Sequence, residues 1–241
     1  MEFEEFLSRE DAERARRTLA TLSNCDFSGL VLTGGFAVEL HHLLKGLVAQ
    51  PRLLNDIDFL AGSFSAIPEA ISTKLIFRHV HPDAPPNRTL LQCVDPETAV
   101  RVDVFRACGE TMGRAIPTVI GGVNLRLISI EDLTARTARL CMDLANNMPI
   151  PAKHARDFLR LLPLADVKAV EPVWQEHRKP MHPDSFRAAA DLLMQLIATH
   201  PDLQIIPRYS CDTNESCPRC EGTASFALAA PERILSLLGY C

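Results

Sequence analysis

No apolar stretch of this chain approaches the length of a bilayer span, and the uncharged run at residues 29–38 is typical of its longest. The opening MEFEEFLSRED is acidic, where a secretory leader would be basic and then apolar, so a cytoplasmic protein with no membrane partner is expected. Positive charge is also scarce: 25 Lys and Arg stand against 30 Asp and Glu, giving a net charge of −5 and a pI near 5.9. That balance excludes the global basic field behind tight, sequence-independent nucleic-acid binding, so any RNA partner must be held by a local patch. Internal repeats and low-complexity segments are absent as well. What 241 residues with 47% hydrophobic content do provide is material for one good core or two modest ones.

The eight cysteines do not read as a disulfide framework, because the chain is long and Cys25, Cys93, Cys108 and Cys141 are spaced irregularly within apolar runs. These four are expected to be reduced core residues. Cys211, Cys217, Cys220 and Cys241 instead crowd into the last 31 positions. There Cys217-Pro218-Arg219-Cys220 forms one knuckle of the shape that suits tetrahedral zinc, with Cys211 and either His200 or Cys241 as candidates to complete a structural Zn²⁺ site. The bland alternative is a reduced polar loop before a terminal helix at residues 231–238.

Along the chain, residues 2–22 set Phe3, Phe6, Leu7, Ala15, Leu19 and Leu22 among many charges, the pattern of a covering amphipathic helix. Leu30-Val31-Leu32 then runs through Thr33 into Gly34-Gly35, and residues 36–44 repeat apolar positions at helical spacing. The sequence predicts strand, glycine turn, helix. Asn55-Asp56-Ile57-Asp58-Phe59-Leu60 reads as a second strand that puts both aspartates on one face, followed by a short helix near residues 65–73. Residues 75–80 suggest a third strand, and 89–94 with 99–105 a pair joined by the turn Asp95 to Thr98; in the second arm Val100, Val102 and Val104 point one way and Arg101, Asp103 and Phe105 the other. A small hairpin turns at Gly121-Gly122. Ser129 starts a helix with Asp132 in the capping-box position, running to about residue 144. Beyond residue 146 the pattern is helical, at 151–162, 167–176 and 183–200. The expected organisation is an α/β domain over residues 1–146 and a helical C-terminal domain with a cysteine tail over 147–241.

Two carboxylates at i and i+2 of a strand can bridge a hard divalent cation, and Asp56 and Asp58 have that spacing. A third carboxylate on a neighbouring strand, Asp103, would complete a two-metal clamp. A glycine turn at a helix N-terminus supplies the other half of such a site, since N–H groups without flanking Cβ atoms can approach a phosphate and the helix dipole favours its charge. Any one of these features is weak alone, but their order, with apolar residues interleaved, is specific.

The segments LTGGFAVELH, LLNDIDFL and VRVDVF together resemble the nucleotidyltransferase superfamily, whose pattern is a strand ending in Gly-Gly or Gly-Ser, a helix, Asp-x-Asp, and a later strand with a third Asp. Within it the chain looks most like the AbiE-type toxin branch (AbiEii-like), through Arg52 before the Asp-x-Asp strand, SIEDL at 129–133, and Lys153 with Asp157 in KHARDFLRLL. The resemblance covers roughly residues 28–162. It implies a nucleotidyltransferase-fold mixed sheet with flanking helices, Mg²⁺ or Mn²⁺ as cofactor, an NTP as partner, and an antitoxin as a candidate protein partner. It implies further that Asp56, Asp58 and Asp103 are catalytic and metal-binding, and that Thr33, Gly34, Gly35, Arg52 and Lys153 meet nucleotide or phosphate. The approach segment GLVAQP before Asp56 is long, and where relatives carry a Lys after SIEDL this chain has Arg136 or Arg139, which changes how a phosphate is held. His41-His42 read as helix-surface filler more than as substrate contacts, and Lys153, Arg156 and Arg160, at helical spacing, either hold RNA or nucleotide or form a solvated helix face.

The function implied is metal-dependent transfer of a nucleoside monophosphate from an NTP to an acceptor, which could be a tRNA end, a protein or a small molecule, in the manner of a toxin-type enzyme. The rival from another class is a catalytically inactive module that keeps the fold for binding or scaffolding; a metal-dependent nuclease would share the carboxylates but has no need of the glycine turn. For the tail, metal analysis of purified protein should find zinc with Cys217 and Cys220 protected from thiol reagents. Zinc-free protein with all four tail thiols reactive would leave only the polar loop.

Overall fold

A computed structural model describes residues 1–80, 90–145 and 152–199; the zinc candidates Cys211, Cys217, Cys220 and Cys241 lie outside them. The chain opens with a 3-10 turn at Phe3–Glu5 and helix α1 (Arg9–Ser23). The single helix expected over residues 2–22 is broken because the Ser8 hydroxyl accepts the Asp11 N–H at 3.1 Å, capping a fresh helix start. α1 buries Ala12, Ala15, Leu19 and Leu22. Next come β1 (Leu30–Thr33), α2 (Gly34–Leu44) and β2 (Asp56–Ala61). The short helix expected near 65–73 divides into a 3-10 turn at Phe64–Ala66 and α3 (Ile71–Lys74), since Pro68 disfavours helical backbone in the residue before it. β3 (Ile76–Val80), β4 (Leu90–Val94), β5 (Arg101–Arg106), α4 (Thr111–Arg114), β6 (Ile116–Ile120) and β7 (Val123–Leu127) follow. Four longer helices succeed the sheet: α5 (Ile130–Ala145), α6 (Ala152–Leu161), α7 (Val167–His177) and α8 (Phe186–Thr199).

The strands form one seven-stranded mixed sheet in the order β3-β4-β5-β2-β1-β7-β6. β2 is antiparallel to β1 and parallel to β5, while β4 pairs antiparallel with both β3 and β5. This is the expected α/β class, a mixed sheet with flanking helices followed by helices. The pleat then sorts the side chains. On one face Leu91, Val104, Phe59, Leu32 and Leu127 stand in register across five strands, all buried. On the other face the register aligns Gln92, Asp103, Asp58 and Thr33. A row of apolar groups on one side and of polar groups on the other follows directly from the period of two along each strand.

α5 belongs to two cores at once. Leu133 packs with the sheet, whereas Ala135, Ala138, Cys141 and Met142 pack with Phe158, Val170, Trp174, Phe186 and Leu193 of the later helices. The carboxylate of Asp132, fully buried in its first turn, is a hub. It accepts from Ser129 Oγ (2.7 Å), Arg114 Nε (2.7 Å) and Nη2 (2.8 Å), Thr111 Oγ1 (2.8 Å) and His177 Nε2 (2.9 Å). Half of the expected capping box is present, because the Asp132 N–H reaches Ser129 Oγ at 3.0 Å, but the carboxylate reaches outward to α4 and α7 instead of back to the cap's own N–H. These donors hold the Asp132 acid far below the usual carboxylate range against the opposing effect of burial. Among the described residues no helix is long and apolar enough to cross a membrane.

A second hub joins α2, the approach to β2 and α6. Glu39, fully buried on α2, accepts from Arg52 Nε at 2.6 Å, from Arg160 Nη1 and Nη2 at 2.5 and 2.7 Å, and from the Gln50 N–H at 2.8 Å. Arg52 continues to Asp157 of α6 through Nη2 at 2.5 Å and Nη1 at 3.3 Å. Removing one member of such a buried set strands the others, a loss of about 3–5 kcal/mol. Glu39→Ala should therefore lower the unfolding free energy by that order in urea titrations, with Arg160 stripped of its carboxylate partner and Arg52 held by Asp157 alone. A cost below about 1 kcal/mol, the range of surface pairs, would show that the network does not tie the helical part to the sheet.

Candidate active site

The site begins where β1 hands over to α2. Gly34 has φ +67°, and a Cβ there would lie 1.9 Å from Asp58 Oδ2, so both backbone conformation and space require glycine. At Gly35 an added Cβ would lie 2.7 Å from Arg52 Nη1. The first N–H groups of α2 have no partner within the helix, and Thr33 in the N-cap position makes no side-chain cap, its buried Oγ1 lacking any hydrogen-bond partner. Turn and strand ends line a cleft of about 820 Å³ together with Asp56, Asp58, Asp103, Arg136, Arg139 and Lys153.

Asp56, Asp58 and Asp103 each bring a carboxylate oxygen within 4.8 Å of the others. The cause is register: β2 and β5 run parallel with Asp58 opposite Asp103 and Asp56 opposite Arg101. Arg101 is the built-in countercharge, with Nη2 bonded to Asp56 and Nε 3.1 Å from Asp103 Oδ1. The second of these is an ion pair by distance only. Its angle is too poor for a hydrogen bond, so Asp103 Oδ1 stays buried without a donor, while Oδ2 accepts from Gln92 Nε2 at 3.2 Å. Burial, then the like charges of Asp56 and Asp103, push the Asp58 acid well above its ordinary value. Burial raises Asp103 to about 6, with Arg101 pulling it back and Asp56 pushing it up. An uncommitted buried carboxylate oxygen beside two further carboxylates, with an unpaired threonine hydroxyl in the same row, suits a hard divalent cation.

Around this centre the cations divide into committed and uncommitted. Arg52 and Arg160 line or approach the cleft but are engaged with Glu39 and Asp157, so Arg52 stands in the wall as an anchor with three of its donors used. Arg136 rests its guanidinium 4.8 Å from the Phe105 ring centroid and has no carboxylate partner within ion-pair distance among the described residues. Burial lowers its pKa, which the charge of Asp58 opposes. Lys153 is exposed at the rim. His41 and His42, expected on the helix surface, are buried: each is tied to a backbone carbonyl, of Ile128 and Val38 respectively, at 2.8 Å.

Cys25, Cys93 and Cys141 are buried free thiols as expected, but Cys108 is only half-buried and lies on the cleft wall; the β-strand ends just before it, so the apolar run no longer dictates burial. Arg101 stands two residues before Asp103 on the same strand face, so the alternation of β5 locates it beside the carboxylates, but only the pairing with β2 shows that it neutralises Asp56. His154 also lines the cleft, with burial, then Lys153, lowering its pKa to about 4. No pattern marked it, because its position depends on how α6 docks.

No protein-family model matches the chain, and no curated protein does. Among solved structures it is similar to the antibiotic-resistance factor ANT(2'')-Ia at 14% identity, covering 79% of this chain and 100% of that one with a TM-score of 0.46. It is similar also to an antigenic nucleotidyltransferase-like protein from Paracoccidioides brasiliensis, at 14% identity over 83% and 92% of the two chains with a TM-score of 0.42. JHP933 from Helicobacter pylori matches at 16% identity over 82% and 95%, with a TM-score of 0.39.

The crowded acids make a pH prediction. A carboxyl group whose value in the fold is raised keeps its proton where the unfolded chain has released it, so its stabilising effect is lost as pH rises from the ordinary 3.8 through about 6 for Asp103, and further for Asp58. In EDTA, Asp103→Asn should melt above the wild type at neutral pH, and the gap should close as pH falls toward 3.8. A gap that widens on acidification would show that Asp103 is stabilised as an anion instead.

Proposed function

We propose that this cleft transfers a nucleoside monophosphate from an NTP to an acceptor in a metal-dependent reaction. The observation that carries the reading is the convergence of three carboxylates beside a glycine turn that opens a helix. Asp56 and Asp58 would hold Mg²⁺ or Mn²⁺, with Asp103 as third ligand or as the base that takes the acceptor proton. Such an ion supplies charge neutralisation at the triphosphate and a more acidic acceptor hydroxyl. The chain's own part is positioning. The N–H groups of Gly34 and Gly35 would offer donors to phosphate oxygens at the positive end of α2, and Arg136, without a carboxylate partner within ion-pair distance among the described residues, would add a cation on the facing wall. Lys153, exposed at the rim, would meet the outer phosphates or the acceptor. The acceptor oxygen attacks the α-phosphorus, pyrophosphate departs, and the acceptor proton passes to the base. An RNA end such as that of tRNA, a protein or a small molecule can be that acceptor. The toxin role and an antitoxin partner rest on the sequence resemblance to the AbiEii-like branch.

One observation favours the rival, a catalytically inactive module: Arg101 already neutralises Asp56 and stands against Asp103, as a fold that had given up its metal would arrange. The two readings separate on Asp58→Asn. Wild-type protein with Mg²⁺, each labelled NTP, total RNA and lysate proteins should pass label to an acceptor, and the variant should lose roughly a thousandfold or more of that rate. Without Mg²⁺ the variant should melt no lower than the wild type, since one of three repelling charges is gone. Full activity in the variant would remove the metal assignment, and simple unfolding would make Asp58 a structural residue.

A further inference from the structure

We propose that Cys108 is a covalent modification site, a cleft-wall sulfur that exchanges with small disulfides bearing carboxylate groups. The surroundings carry the inference. Arg139 Nη1 donates to Cys108 Sγ at 3.3 Å. The His177 ring, nearly fully buried, also faces this sulfur. Its Nε2 is fixed on Asp132 Oδ1 at 2.9 Å, and its Nδ1 is buried with no hydrogen-bond partner. Cys108, His177 and Asp132 thus form a thiol, imidazole and carboxylate series, with Arg114 completing the carboxylate's ion pairs. Gly109, at φ +45°, lets Glu176 Oε2 come within 2.0 Å of where a Cβ would sit, and this turn presents Cys108 to the cleft.

The charged groups that act on the sulfur are His177 of α7 and Arg136 and Arg139 of α5; the carboxylates on the same wall are paired, Glu176 with Arg114 at 2.7 Å and Asp143 with Arg139 at 3.7 Å. The neighbouring His177 ring is the largest influence, followed by burial acting the other way, then the Arg139 and Arg136 charges; together they lower the thiol to about 7. Burial instead raises Cys25, Cys93 and Cys141, the last to about 12. The cationic wall selects disulfides that carry anionic groups. In the reaction the Cys108 proton passes to solvent, leaving a thiolate beside the His177 ring, whose own pKa is raised, against the opposing effect of burial, through its bond to Asp132. The thiolate attacks one sulfur of the disulfide, a new S–S bond forms as the old one breaks, and the electron pair leaves on the departing thiolate. Cys108 is oxidised and the departing half is reduced.

The test uses the full-length reduced chain and 5,5′-dithiobis(2-nitrobenzoate), an aromatic disulfide with two carboxylates. At pH 6 a thiol two units more acidic than usual has about a hundredfold more thiolate, and its weaker nucleophilicity returns about tenfold, so a net advantage of about tenfold over N-acetylcysteine is expected. The fast phase should release one equivalent of thiolate, map to the Cys108 peptide by mass spectrometry, and vanish in Cys108→Ser. His177→Gln, or Arg139→Gln if that variant does not fold, should slow the phase at pH 6 and move its pH midpoint upward. A fast phase that survives Cys108→Ser, maps to a tail cysteine, or shows no advantage over N-acetylcysteine overturns the proposal. Exclusion of NTP from the labelled chain would follow only if the proposed function holds; the labelling does not depend on it, so the two readings fail separately.

Discussion

The parallel pairing of β2 with β5 is the constraint on which the rest of the molecule turns. It sets Asp58 opposite Asp103 and leaves Asp56 two residues away on the same face, so three like charges share one end of the sheet. Like charges at such separation in a partly desolvated site cannot all ionise without a countercharge. Arg101 supplies part of it from within β5, and the remainder is either proton uptake or a cation from outside. The glycine turn answers the same constraint sterically, because any side chain at residue 34 would overlap Asp58.

A site with this electrostatic load needs walls that do not yield. Two buried carboxylates provide them, Glu39 on one side and Asp132 on the other, each accepting from arginine and from groups on different elements. Buried ion pairs contribute little net stability over apolar packing, but they fix geometry, since each donor fork fits one arrangement. Here that geometry ties α6 to α2 and to the approach to β2, and α7 to α4 and α5, around the cleft. The arginine before the Asp-x-Asp strand is part of this scaffold, through Glu39 and Asp157.

The same walls determine which cationic and nucleophilic groups stay available. Arg52, Arg114 and Arg160 are engaged with carboxylates, whereas Arg136 faces the cleft on an aromatic ring. Cys108 differs from the buried thiols only because the chain leaves the sheet one residue earlier, at Ala107, and then turns at Gly109 beneath α7.

The sequence by itself determined the strand, glycine turn and helix at residues 30–44, the shared face of Asp56 and Asp58, the two hairpins and the helical character of the later part. Each is written in a period of two or 3.6 residues, or in a turn residue, and those are local properties of the backbone. The strand carrying Asp103 was legible for the same reason. Only tertiary structure decided that this strand runs beside β2 and not elsewhere in the sheet, because pairing between segments 40 residues apart leaves no local period. It also decided that Arg52 serves Asp157 while Arg136 remains open, that His41 and His42 are inside, and that Cys108 is not. A side chain's partner is set by which helix docks against it, and docking depends on the sum of many distant contacts that no single stretch of sequence records.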